Sequence, residues 1–195
     1  MEARVTLMAT LALVAIGLVL AFAASPAATG NSSVAGNFSY ALKQLAFACT
    51  AVGILVGASL LDFKETRLLA AWVFALALIG AFLALISGED VNGAHRWLDF
   101  GGLKLQPSEF LKPAFAILAA AFLADKLKRG FPGGLVTVGM LVPALGILLM
   151  QPDVGQTLLL AALCVTMLFL AGLPYYWLAA MAGGGATLAA AAYFL

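Results

Sequence analysis

Glu109 and Lys112 stand three residues apart in "QPSEFLKP" (106–113), within a chain that is otherwise mostly apolar. At that spacing they share one face of a helix and can touch. Charged groups in membrane helices are costly, so they face a partner or a water-filled cavity. The pair therefore reads as a snorkelling interfacial pair or as the wall of a polar cavity. Pro107 suits the opening of a helix, and Pro113 disturbs the hydrogen-bond ladder just inside it. A second segment, "QPDVGQ" (151–156), again sets an acid behind a glutamine and a proline. An acid in the first turn complements the helix dipole, so both segments read as helix starts. Asp153 is then a counter-ion for Lys112 or Arg96, or lines the same cavity with Gln151 and Gln156.

"HRW" at 95–97 adds a second cation. An Arg beside a Trp at a bilayer edge serves as an aromatic-belt anchor, or the guanidinium grips phosphate oxygens bidentately. On the second reading Arg96, with Lys104, Lys112 and His95, holds a pyrophosphate while Trp97 lies against a lipid or sugar. The stretch has no Walker-type glycine loop. Glu89 and Asp90 read as solvated loop charges. The single His95 has no Cys or His neighbours for a metal site, and Cys49 and Cys164 each lie in an apolar run, unlike a disulfide framework.

The elements that must position these groups follow from composition. Of 195 residues, 64% are hydrophobic and 10% charged, against about a quarter charged in a soluble domain. The net charge of +1 gives no reason to expect a nucleic-acid partner. Apolar runs predict seven spans, near 5–24, 44–61, 68–86, 107–124, 134–150, 155–171 and 176–195. Spans of this composition must be helices, because lipid leaves bare backbone groups unsatisfied. The expectation is an all-α polytopic membrane protein forming one transmembrane domain over 1–195. "AFA" at 21–23 resembles a signal-peptidase site, but the run from Val5 is long enough to span the bilayer and is read as a retained helix. With the N-terminus cytoplasmic, Arg4, Lys64, Arg67, Lys126, Lys128 and Arg129 fall inside, as the positive-inside rule favours. The charged 87–106 loop then faces outward, and Tyr175, Tyr176 and Trp177 form a belt at the cytoplasmic edge.

"VNGAHRWLDFGGLKLQPSEFLKPAF" and "QPDVGQTLLL…LFLAGLPYYW" resemble the SEDS family of FtsW, RodA and SpoVE. The "NGA-x-RW" form is more similar to FtsW than to RodA. Position by position, Arg96 and Trp97 fall on the family's RW. Gln106, Pro107, Ser108, Glu109 and Lys112 fall on its QPSE-x-x-K, and Pro152, Asp153 and Gly155 on its PD-x-G. The family usually follows that glycine with Thr, whereas Gln156 precedes Thr157 here; this is read as tolerated variation.

The resemblance implies a fold of about ten transmembrane helices in the bacterial inner membrane. It implies a peptidoglycan glycosyltransferase of cell division that polymerises lipid II, an undecaprenyl-pyrophosphate-linked disaccharide, on the outer face, beside a class B penicillin-binding transpeptidase. Arg96, Trp97, Gln106, Ser108 and Asp153 are expected at the substrate and Glu109 and Lys112 in support. The family's catalytic Asp is expected beyond Leu195, making this the N-terminal portion of the fold. No metal ligand set is expected here, and a divalent cation at the leaving group stays open. Lipid II transport by the same cavity, or a non-catalytic scaffold for the transpeptidase, are the alternatives.

Overall fold

The computed structural model of the protein describes residues 2–29, 34–91, 94–99, 101, 104–129, 132–172 and 183–184. Its elements are α1 (Glu2–Thr29), α2 (Val34–Ser59), α3 (Phe63–Ser87), β1 (Glu89–Val91), β2 (Ala94–Asp99), β3 (Lys104–Leu105), α4 (Ser108–Arg129), α5 (Gly133–Met150) and α6 (Val154–Leu170). Each of the first six expected spans falls on one helix. The seventh, 176–195, lies outside the described residues save 183–184, as does the Tyr175–Trp177 belt. Leu42–Ser59, Phe63–Ser87 and Gly133–Met150 are long and apolar enough to cross a bilayer, and Met8–Leu20 and Val154–Leu170 are shorter apolar helices.

The chain divides into two compact units, 1–61 and 62–195. In the first, α1 packs against α2. Both helices extend into the polar stretch at 25–43 that separates the first two expected spans, so Lys43 lies inside α2.

In the second unit the interior of α3 is a seam of Ala70, Phe74, Ala77, Ala81 and Ala84. Spacings of four and three keep one stripe facing its neighbours, and small residues let membrane helices approach closely. Phe74 meets Phe115 of α4 at 6.4 Å between ring centroids. Thr137 and Thr157 are buried in α5 and α6. Each hydroxyl donates to the carbonyl four residues back, Gly133 at 2.8 Å and Asp153 at 2.7 Å, so neither is orphaned.

The ends of these helices are tied differently. Where α3 starts, the Asp62 backbone N–H donates to Glu65 Oε2 at 2.9 Å. Arg67, expected as no more than an orientation signal, pairs with Asp125 of α4 at 2.7 Å and covers the Phe122 ring at 4.8 Å. Gly133 opens α5 against the backbone of α4, where any Cβ would collide with the Phe122 carbonyl. Neither backbone can give way cheaply, so Gly133→Ala is expected to cost about 1–3 kcal/mol. Thermal unfolding of the detergent-purified protein reads this directly, and an unchanged midpoint would contradict the close approach.

At the opposite end, the last turns of α3 and α5 meet the first turns of α4 and α6. A small antiparallel sheet of order β1-β2-β3 closes this end. Asp90 is registered with His95, and Asp99 with Lys104. The sequence reading treats 87–106 as a charged loop; the sheet gives it a fixed register and packs β2 on α3.

Candidate functional site

The site is built where those four helix ends converge. Ser108 begins α4, so Glu109 and Lys112 occupy its first turns. Lys112 Nζ donates to Glu109 Oε2 at 2.7 Å. The other carboxylate oxygen, Glu109 Oε1, accepts from Gln156 Nε2 of α6, also at 2.7 Å. Asp153 is the N-cap of α6, and its Oδ1 accepts from the Gln156 backbone N–H at 3.3 Å. Its second oxygen faces Arg96 Nη1 of β2 at 3.4 Å and Gln106 Nε2 at 3.5 Å. The result is one polar chain, Lys112–Glu109–Gln156–Asp153–Arg96, linking α4, α6 and β2.

Burial is uneven along that chain. The Asp153 side chain is 7% exposed and Lys112 19%, whereas Glu109 is 49% exposed. The buried end carries the helix cap, and the open end carries a carboxylate and an ammonium. Ser108 Oγ and Gln156 Oε1 are buried without a protein hydrogen-bond partner among the described residues. Such atoms are costly unless something bonds them.

Of the two counter-ions considered for Asp153, the structure selects Arg96, and Glu109 takes Lys112. The proposed cluster of cations is dispersed. His95 Nδ1 lies 2.8 Å from the Gly88 carbonyl and, since a carbonyl only accepts, donates to it. Lys104 is registered opposite Asp99 in the sheet. Trp97 follows Arg96 in β2, where the pairing with β1 slips: Glu89 is registered with Trp97 and Asp90 with His95, leaving Arg96 between them. Gln151 was grouped with the site but is a structural clamp: it is 1% exposed and donates from Nε2 to the Ala81 carbonyl of α3 at 2.7 Å. No three His, Cys, Asp or Glu side chains converge as metal ligands among the described residues.

Beside the polar chain lies an apolar groove of about 480 Å³, running along α3 under Leu98 and Leu105 of the sheet and against Pro107 and Phe110 of α4. Pro107, which lines the groove, directly follows Gln106, whose Nε2 lies 3.5 Å from Asp153 Oδ2. Polar chain and groove thus share an edge.

A family model described as cell cycle protein, FtsW/RodA/SpoVE, matches residues 3–195. The chain belongs to the FtsW/RodA/SpoVE family. It is 36% identical over 189 residues to the probable peptidoglycan glycosyltransferase FtsW of Caulobacter vibrioides, covering 96% of this chain and 48% of that protein. It is 32% identical over 168 residues to the stage V sporulation protein E of Bacillus subtilis, covering 84% and 46%. The chain thus spans about half the length of the curated relatives it matches. Among solved structures, the rod shape determining protein RodA of Thermus thermophilus superposes with a TM-score of 0.63 at 24% identity, covering 92% of this chain and 58% of that one. That likeness establishes the fold: a polytopic helical membrane protein. A chain of a peptidoglycan synthase complex, in which polymerisation and crosslinking are coordinated, matches with a TM-score of 0.64 at 27% identity, covering 91% and 54%.

Proposed function

We propose that the full-length protein is a peptidoglycan glycosyltransferase that polymerises lipid II on the outer face of the bacterial inner membrane. The observation that carries this reading is the Lys112–Glu109–Gln156–Asp153–Arg96 chain at one end of the helix bundle, edged by an apolar groove. A lipid-linked pyrophosphate sugar has that same division, with an anionic head and an oily tail. Relatives named as peptidoglycan glycosyltransferases support it. In the reaction, a general base outside these residues deprotonates the acceptor sugar hydroxyl. The oxygen attacks the donor's anomeric carbon, and undecaprenyl pyrophosphate leaves. Arg96 faces Asp153 through Nη1 at 3.4 Å, and a guanidinium carries five N–H donors that suit phosphate oxygens. It stabilises the growing charge of the leaving group, and the tail lies in the groove. Lys112, fixed by Glu109, adds positive potential at the open end.

We further propose that the Arg67–Asp125 end faces the cytoplasm, an orientation the short basic loops favour, which would turn the site outward. A class B penicillin-binding transpeptidase is the proposed partner, supported by the similarity to a chain of a peptidoglycan synthase complex.

The test is polymerisation of purified lipid II by the full-length protein. Lys112→Ala and Glu109→Ala are each expected to lower the rate by at least about a hundredfold, with thermal unfolding confirming that the variants fold. Wild-type rates in both folded variants would remove the site assignment. Passage of lipid II across liposome membranes without glycan product would replace polymerisation with transport.

A further inference from the structure

We propose that Gln156 is a positioning residue, the clasp that fixes Glu109 and through it Lys112; this rests on the polymerase reading above. An exposed ion pair three residues apart on one helix is weak and mobile on its own. Glu109 and Lys112 would be such a pair if α4 stood alone, because nothing within the helix restrains the half-exposed carboxylate. Gln156 changes that. It comes from a different helix, donates to the oxygen that Lys112 leaves free, and is itself held where its backbone N–H bonds the Asp153 cap. With both oxygens occupied, the carboxylate plane is set, and the ammonium bonded to it is set in turn.

The residue type fits this role. An amide presents a donor that stays neutral, so it orients a carboxylate without competing with Lys112 for its charge. Gln also has the reach to span from α6 to α4, which the Thr usual in the family at this position does not. The surrounding charges are Glu109 and Lys112 on α4, Arg96 on β2 and Asp153 at the start of α6. Gln156→Glu would set two carboxylates against each other, whereas Gln156→Leu removes the donor at similar volume.

The experiment uses the full-length protein with purified lipid II and a double-mutant cycle between positions 109 and 156. Gln156→Leu is expected to lower kcat about tenfold with KM nearly unchanged, because a misplaced group costs rate more than ground-state binding. Gln156→Glu is expected to lower the unfolding midpoint, and Glu109→Gln added to it is expected to restore that midpoint by letting an amide again face a carboxylate. A wild-type kcat in Gln156→Leu would overturn the positioning role. Additive midpoint losses in the double variant would overturn the contact itself, whatever the activity. A wild-type protein that makes no glycan would overturn the polymerase reading and the positioning role with it, while the cycle still decides whether the clasp exists.

Discussion

Gln151→Glu is expected to destabilise the protein by on the order of 3–5 kcal/mol, although the change is nearly isosteric. Gln151 is 1% exposed, and its amide nitrogen donates to the Ala81 carbonyl at 2.7 Å. A carboxylate at that point turns an attraction into a contact between two oxygens, in a place without water to solvate the charge. Gln151→Leu removes the same donor but buries no charge. The Ala81 carbonyl keeps its place in the α3 ladder, so the cost falls to about 1 kcal/mol. Thermal or denaturant unfolding of the two variants in one detergent separates the cases. If Gln151→Glu melts with the wild type, α5 is not tied to α3 through this side chain.

That bond also marks where the sequence stops being legible. Gln151 and Ala81 are 70 residues apart, and no spacing or composition rule links a side-chain amide to one carbonyl of a distant helix. The helices themselves were legible where hydropathy changes sharply. The spans expected at 134–150 and 155–171 fall within a residue of α5 and α6, because charged or proline-bearing turns bound them. α1 and α2 run past their expected limits because "SPAAT" (25–29) and "VAGNFSYALK" (34–43) lower the hydropathy without ending either helix. Alanine is the strongest helix former, and polar residues end an apolar run sooner than they end a backbone ladder. The sheet at 89–105 carried one local sign that was passed over. Asn92-Gly93, the pair most typical of a tight hairpin turn, falls between β1 and β2 in the sequence.

The candidate site divides along the same line. Glu109 with Lys112 was legible because a spacing of three is a local, geometric fact. Arg96 with Asp153 was one of two pairings left open, since charge alone does not say which cation reaches which acid. Gln156 was passed over as tolerated variation at a motif position, yet it is the residue that joins the two pairs. A neutral amide gives no charge signal, so only the packing of α4 against α6 reveals it.

Asp153 is where fold and chemistry are hardest to separate, and two substitutions part them. Asp153→Ala removes the α6 cap, worth about 1 kcal/mol, and leaves the partly buried Arg96 without its carboxylate. Together these are expected to cost about 2–3 kcal/mol. Asp153→Asn keeps an oxygen for the Gln156 backbone N–H, and Asn is as good an N-cap as Asp, so its loss is expected to stay near 1 kcal/mol. The charge is gone in both variants. Arg96, no longer tethered at 3.4 Å, is then free to leave the position proposed for it beside the leaving group. Lipid II polymerisation by the full-length protein is therefore expected to fall in Asp153→Asn by more than its stability loss accounts for, on the order of tenfold. Unfolding midpoints and initial rates measured on the same preparations test both halves. Equal midpoints for Ala and Asn would remove the capping role. A folded Asp153→Asn protein with wild-type rates would show that the carboxylate serves the helix and not the substrate, leaving Arg96 to be held by the sheet alone.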